Sequence, residues 1–344
     1  MDLSTGYMGL ALRNPLVASA SPLSQTVDGV RRLDAAGVGA VVLYSLFEEQ
    51  LRQEAAQNAR LVDAGTESFA ESLSYFPAVA EDEVGPRRYL SLLERASAAV
   101  EVPVIGSLNG VTLSGWAEYA RAMQDAGAAA IELNIYYLPA DPHLPGREVE
   151  QRHVDVLARV KDAVTVPVAV KLSPYLGSTG EMALRLDEAG ADALVLFNRF
   201  LQPDLDPEAL AVVHRVGLST PAEAQLPRMW VALLHGRVRA SLAATTGVET
   251  SADVAKYLLA GADVVMTASA LLRHGPEHAT VLLDGLSDWM ARKGFTALAQ
   301  IRGMLAVPPG ADETAFEREG YVGALRAANI GRFEPGELDS PAGR

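Results

Sequence analysis

The chain has 344 residues, 49% hydrophobic and 21% charged, which is ample apolar material for one sizeable core and too much for a disordered chain. Forty-three acidic against 29 basic side chains leave a net charge of -14, which repels polyanions and argues against nucleic acid and anionic membrane surfaces as partners. There is no cysteine, so disulfides, thiolate nucleophiles, iron-sulfur clusters and cysteine zinc sites are excluded, and the 6 scattered histidines show no metal-ligand spacing. The longest uncharged stretch, Ala35 to Phe47, is too short to span a bilayer, and Met1-Asp2-Leu3-Ser4 opens without a basic region; a cytoplasmic protein is expected.

The first fourteen residues, with Gly6 and Gly9 in an apolar-polar alternation, read as a short hairpin. Beyond it, Leu33 to Ser45, Met123 to Asn134, Leu186 to Asn198 and Leu258 to Ser269 share one design: a helical pattern ends at Ala-Gly and a β-branched or small apolar run follows at once. Gly37, Gly127, Gly190 and Gly261 suit the left-handed position that closes a helix, and continuous apolar runs suit strands buried on both faces of a parallel sheet. Further strands enter through Val102-Pro103 and Val166-Pro167, where proline removes no central ladder donor. With Leu16 to Ser21 and Arg239 to Gly247 the total is eight strands alternating with helices, which predicts a TIM (β/α)8 barrel with the N-terminal hairpin closing one end. An open doubly wound sheet is the alternative, but Ser19-Ala20-Ser21-Pro22 lacks a glycine-rich dinucleotide fingerprint. The barrel domain is expected over 1–307, with 308–344 as an extension carrying a capped helix over Asp312 to Ala328 and a tail rich in Pro and Gly.

Function in such barrels sits at the C-terminal ends of the strands, so polar residues closing apolar runs are the candidates. These are Ala20 and Ser21, Tyr44 and Ser45, Ser107 and Asn109, Glu132 and Asn134 with Tyr136 and Tyr137, Lys171 and Ser173, Asn198 and Arg199, Thr245, Thr246 and Gly247, and Thr267, Ala268 and Ser269. Lys171 stands out, because an ammonium ending Val166 to Val170 must find an anion or polar ligand to offset its desolvation. Glu132 on the neighbouring strand is its alternative partner, in a purely structural ion pair. Asn134 and Asn198 offer amides that both donate and accept, as a heteroaromatic edge requires. Thr246-Gly247 with Ser251-Ala252-Asp253, and Ala268-Ser269, suit a phosphate cradle built by the last two strand loops.

Taken together, Asn14-Pro15-Leu16-Val17, Glu132-Leu133-Asn134, Val170-Lys171-Leu172-Ser173-Pro174, Thr246-Gly247-Val248 and Leu271-Leu272-Arg273-His274-Gly275-Pro276 resemble the FMN-dependent dihydroorotate dehydrogenases, in particular a divergent bacterial branch of dihydroorotate dehydrogenase-like proteins. The resemblance runs over most of the chain. It implies FMN at the barrel mouth, with its phosphate around Thr246, Gly247, Ala268 and Ser269, and Asn134, Lys171 and Asn198 around the ring and substrate. Ser21, Ser45, Asn109 and the Ser219-Thr220 loop would complete the surroundings. A lysine beside the ring would stabilise the negative charge that develops there.

The chain departs from the family at telling places. Tyr137 stands where the family carries a cysteine or serine base, Tyr44 replaces a lysine, Thr246-Gly247 replaces a glycine pair, and expected asparagines are missing near Pro139 and at Ser72-Leu73-Ser74-Tyr75-Phe76. A tyrosine, which titrates near about pH 10, is a poor base at neutrality but a serviceable proton donor. Tyr137 or Tyr136 is therefore the acid-base candidate, the other reading being that both merely wall the pocket. Three functions are open: an FMN-dependent oxidoreductase acting on a CH-CH or C=C bond of a pyrimidine-like substrate; a flavin-free lyase or aldolase with Lys171 as Schiff base; and a catalytically silent flavin binder. Without cysteine the second substrate would be a diffusible acceptor or a redox partner, and the family likeness suggests a homodimer.

Overall fold

The computed structural model describes residues 1–47, 86–109, 113–137, 141–199, 203–213, 217–311, 318 and 320–326. Ser72 to Phe76, Gly110 and Pro139 lie outside the described residues. The chain begins with an antiparallel hairpin, β1 (Thr5–Tyr7) and β2 (Leu10–Leu12), in which Thr5 faces Leu12. Its two-residue turn, Met8 and Gly9, has both φ angles positive, at 53 and 77 degrees, as tight hairpin turns of matching twist require.

Strands and helices then alternate: β3 (Leu16–Ala18), α1 (Val27–Ala35), β4 (Ala40–Val42), a short β5 (Leu46–Phe47), α2 (Pro86–Ser97), β6 (Val104–Asn109), α3 (Leu113–Asp125), β7 (Ala130–Asn134), α4 (Gly146–Lys161), β8 (Val168–Lys171), α5 (Thr179–Glu188) and β9 (Ala193–Leu196). After a second hairpin, β10 (Asp204–Asp206) and β11 (Ala211–Val213), come α6 (Gln225–Leu234), β12 (Ser241–Ala244), α7 (Ser251–Ala260), β13 (Val264–Thr267), α8 (Ser269–His274) and α9 (His278–Arg292). The strands run in parallel in the order β4-β3-β13-β12-β9-β8-β7-β6, and β4 pairs with β6 to close the ring. This is the expected TIM barrel with its N-terminal hairpin. Gly37, Gly127, Gly190 and Gly261 have φ of 95, 92, 90 and 116 degrees, so each helix stops where sequence placed its stop. At Gly261 a side chain is also excluded by space, since a Cβ would lie 2.4 Å from the His235 ring.

Two apolar layers follow from the period of two along each strand. Outward residues such as Leu16, Val41, Ile131, Val170, Leu194 and Val265 pack against Leu33, Leu93, Met123, Leu157, Leu186 and Leu258 of the helices. Inward residues are small: Ala40, Ala130, Ala169, Ala193 and Ala243, with Val17, Val42, Ile105, Val195 and Met266 between them. Tyr7, Met8 and Leu12 of the hairpin join this inner cluster and fill the barrel that so many alanines would leave underpacked. The same alternation carries Ser19, Ser107, Glu132, Asn134 and Lys171 onto the inner wall toward the strands' C-terminal ends.

The hairpin β10–β11 has no counterpart in the sequence reading. Its residues are mostly exposed, with Leu210 at 90%, so no buried periodicity announces it. Residues 1–306 form one compact unit and 307–344 another. Of the helix expected over Asp312 to Ala328, residues 318 and 320–326 are helical, and the rest of that span lies outside the described residues. Among the described residues no helix is long and apolar enough to cross a membrane.

Candidate functional site

Strand β8 ends at Lys171, in register with Asn134 of β7 and Val195 of β9. Its side chain is buried, with Nζ 3.3 Å from Oε1 of Glu132 and 3.5 Å from the Ser19 hydroxyl. The anticipated ion pair with Glu132 is thus present. It does not exhaust the lysine, because an ammonium has three donors and Lys171 also lines a cavity. Beside it the Asn198 amide donates to Oδ1 of Asn134. That bond leaves the Asn134 amide nitrogen and the Asn198 carbonyl free to pair a donor-acceptor edge.

The cavity, about 230 Å³, runs from Lys171 to the loops after β12 and β13. Gly247, at φ 70 degrees, is needed there, since a Cβ would come within 2.7 Å of the Thr220 carbonyl and 2.8 Å of Ala224. Thr246 before it holds a φ of 82 degrees, a conformation unfavourable for a side-chain-bearing residue. The buried Tyr257 hydroxyl donates to the carbonyls of Thr246 (2.7 Å) and Thr245 (3.1 Å) and so braces this loop from below. Burial pushes the Tyr257 phenol well above its usual range, which keeps it a donor.

Across the cavity the Ser219 N-H donates to Ser269 Oγ at 2.9 Å, and the Ser219 hydroxyl, bonded to the same oxygen, accepts from the Gly247 N-H at 3.2 Å. Arg273 reaches Glu249 and the Ser219 carbonyl, tying the three loops together. The two flanking helices differ. The N-terminus of α7 is closed by a capping box in which Thr250 and the Asp253 carboxylate satisfy each other's backbone donors. Ser251, Ala252 and Asp253, expected to join an anion cradle, form this self-capped turn and are not on the cavity lining. Helix α8 instead starts after Ala268, which offers no side-chain cap, so its first N-H groups stay open beside the cavity.

Of the residues singled out from sequence, Ala20, Ser21, Lys171, Asn198, Ser219, Thr246, Gly247, Ala268 and Ser269 line this one cavity. Tyr44 packs edge-on against Tyr89, Ser45 bonds the Ser107 hydroxyl at 2.8 Å, and Asn109 is buried at the end of β6; none of the three is on its lining. Asn134, bonded to Asn198, is not on the lining. Tyr137 lies with the Arg152 guanidinium of α4 4.6 Å from its ring centroid, and Tyr136 is the more exposed of the two. Arg199, Thr245 and Thr267, also collected from the strand ends, line the cavity too, whereas sequence reading missed Ser19. Ser19 lies two residues beyond inward-facing Val17, and Arg199 directly follows Asn198, its guanidinium 2.9 Å from Glu223.

A family model described as dihydroorotate dehydrogenase matches residues 2–290. The catalytic subunit of dihydroorotate dehydrogenase B (NAD(+)) of Methanothermobacter thermautotrophicus is 29% identical over 328 residues, covering 88% of this chain and 98% of its own. That of Methanocella arvoryzae is 29% identical over 303 residues, covering 86% and 95%. A subunit of the NAD-dependent dihydropyrimidine dehydrogenase of Escherichia coli is 25% identical over 319 residues, covering 88% of this chain and 76% of its own. A family match over residues 2–290, on a barrel whose strand ends converge on one polar cavity, has one meaning: the chain belongs to the dihydroorotate dehydrogenase family.

Proposed function

We propose that the chain is an FMN-dependent oxidoreductase acting on a CH-CH or C=C bond of a pyrimidine-like substrate. The observation that carries this reading is the buried Lys171 ammonium at one end of a cavity whose other end is the open, glycine-crowded cradle of Gly247, Ala268 and Ser269. FMN fits such a donor set, with its phosphate at the cradle's backbone N-H groups and the electron-rich edge of its ring toward the ammonium. When bound it supplies the electron and hydride chemistry.

The chain's own residues would do the rest. Lys171 would place positive charge where negative charge develops, and the Asn134–Asn198 pair would orient a ring carrying carbonyl and N-H groups. Tyr137 would move the proton, its ring orientation held by the Arg152 guanidinium. A diffusible acceptor or a redox partner would take up or supply the electrons, and a cytoplasmic homodimer belongs to the same reading. The lyase alternative is disfavoured by the family match over residues 2–290.

The test is the visible spectrum of the purified protein, followed by anaerobic addition of dihydroorotate or a dihydropyrimidine. An oxidised-flavin band that bleaches supports the cofactor and the substrate class. A stable band with either compound removes the substrate class and leaves a flavin binder. Colourless protein that takes up no added FMN removes the reading altogether.

A further inference from the structure

Among the ion pairs of the described residues, Lys171–Glu132 is set apart by burial. Its side chains are 9% and 1% exposed, whereas those of Arg13–Asp34, Lys161–Asp192 and Arg239–Asp187 each retain substantial contact with water on at least one partner. A buried pair is weak as a stabilising device, because desolvation of both ions offsets their attraction. This pair carries a further penalty: Oε2 of Glu132 is buried without a hydrogen-bond partner, and so is the Tyr7 hydroxyl of the hairpin plug. A carboxylate kept under those conditions calls for a role beyond holding the barrel together.

Its position supplies one. Glu132 lies on the inner wall two residues before Asn134, and its Oε1 faces the Lys171 ammonium that lines the cavity. With one N-H toward Glu132 and another toward Ser19 at 3.5 Å, the ammonium has one donor left for the cavity. We propose that Glu132 is a positioning residue: its carboxylate fixes the Lys171 ammonium at the cavity floor and offsets part of its charge, and so lowers the reduction potential of FMN bound against it. The inference rests on the FMN reading above. It assigns the carboxylate no contact with the cofactor, only an action through the lysine.

The test measures two properties that need no turnover, the midpoint potential of bound FMN and its affinity for sulfite, which adds to the flavin and leaves negative charge on the ring. In Glu132→Gln the ammonium faces the cavity uncompensated. Reduced FMN should therefore gain at least tenfold in binding over oxidised FMN. For a two-electron couple that is a rise of about 30 mV. Sulfite should bind at least tenfold tighter. Potential and sulfite constant both within twofold-equivalent limits of wild type, in folded and flavin-loaded Glu132→Gln, overturn the proposal.

A second comparison isolates the route. In Lys171→Met there is no ammonium for the carboxylate to act through, so adding Glu132→Gln should change neither quantity. This comparison also serves if Glu132→Gln alone fails to fold, since the double variant buries no charge at either position. Equal potentials in Lys171→Met and the double variant support the proposal; a further shift, showing a direct field from Glu132, overturns it. Wild-type protein that binds no FMN overturns the cofactor reading and this inference with it, whereas flavin-loaded protein indifferent to Glu132 overturns this inference alone.

Discussion

Gly247 is the residue where backbone geometry and the proposed phosphate end meet most directly. Its φ of 70 degrees and the Thr220 carbonyl 2.7 Å from an added Cβ leave room for hydrogen only. Gly247→Ala should therefore push the β12 loop away from Ser219 and weaken FMN binding at least tenfold, about 1.4 kcal/mol, read by fluorescence titration of the apoprotein. Tyr137 gives the complementary result. If it moves a proton, Tyr137→Phe should lower kcat by roughly 10²–10⁴-fold, the usual range for a general acid, with FMN affinity unchanged; wild-type turnover would leave it as a wall beneath Arg152. Lys171 was legible in sequence because a lone ammonium ending an apolar run has few innocent explanations. Ser19 was not, because a hydroxyl at a strand end carries no charge and is compatible with any turn.

At the scale of elements, the four Ala-Gly boundaries were readable because helix stop and buried strand adjoin in one stretch of chain. The β10–β11 hairpin was not readable, since neither strand buries a face and exposed residues carry no period. The loop after β12 is held by a different element, α7, through the Tyr257 hydroxyl on two carbonyls. Tyr257→Phe should cost about 1–3 kcal/mol by leaving a buried carbonyl unpaired, seen as a lower urea midpoint. FMN binding should weaken as well, because the positive φ at Thr246 loses its brace.

Helix α4 carries a pH-sensitive counterpart. His153 is buried, its Nδ1-H donating to the Val149 carbonyl one turn back at 3.0 Å while Nε2 has no partner. Burial lowers its pKa below the ordinary value of 6.5. The folded state therefore binds this proton less readily than the unfolded chain, so the stability is fully present above 6.5 and falls as the solution is acidified below it. Wild type should lose up to about 1.4 kcal/mol per pH unit there from this residue, and His153→Leu, which cannot be protonated, should lose correspondingly less across the same urea titrations.

At the scale of the whole molecule, the barrel is closed by pairing and filled by the plug. Five inward alanines leave a lumen that Tyr7, Met8 and Leu12 occupy from the hairpin side, while Lys171 and Glu132 occupy it from the other. Sequence alone suggested a hairpin at the N-terminal end but not what it fills, because the vacancy is a property of alanines from five different strands. The plug makes a paired prediction. Tyr7→Ala removes a fully buried ring from a wall too small to collapse around the loss, and should cost about 3–5 kcal/mol in urea unfolding, as other buried aromatic truncations do. Tyr7→Phe keeps the ring and removes only a hydroxyl that is buried without a partner, so stability should be unchanged or slightly raised. Equal losses in the two variants would mean that the hydroxyl, and not the volume of the plug, holds the inner layer together.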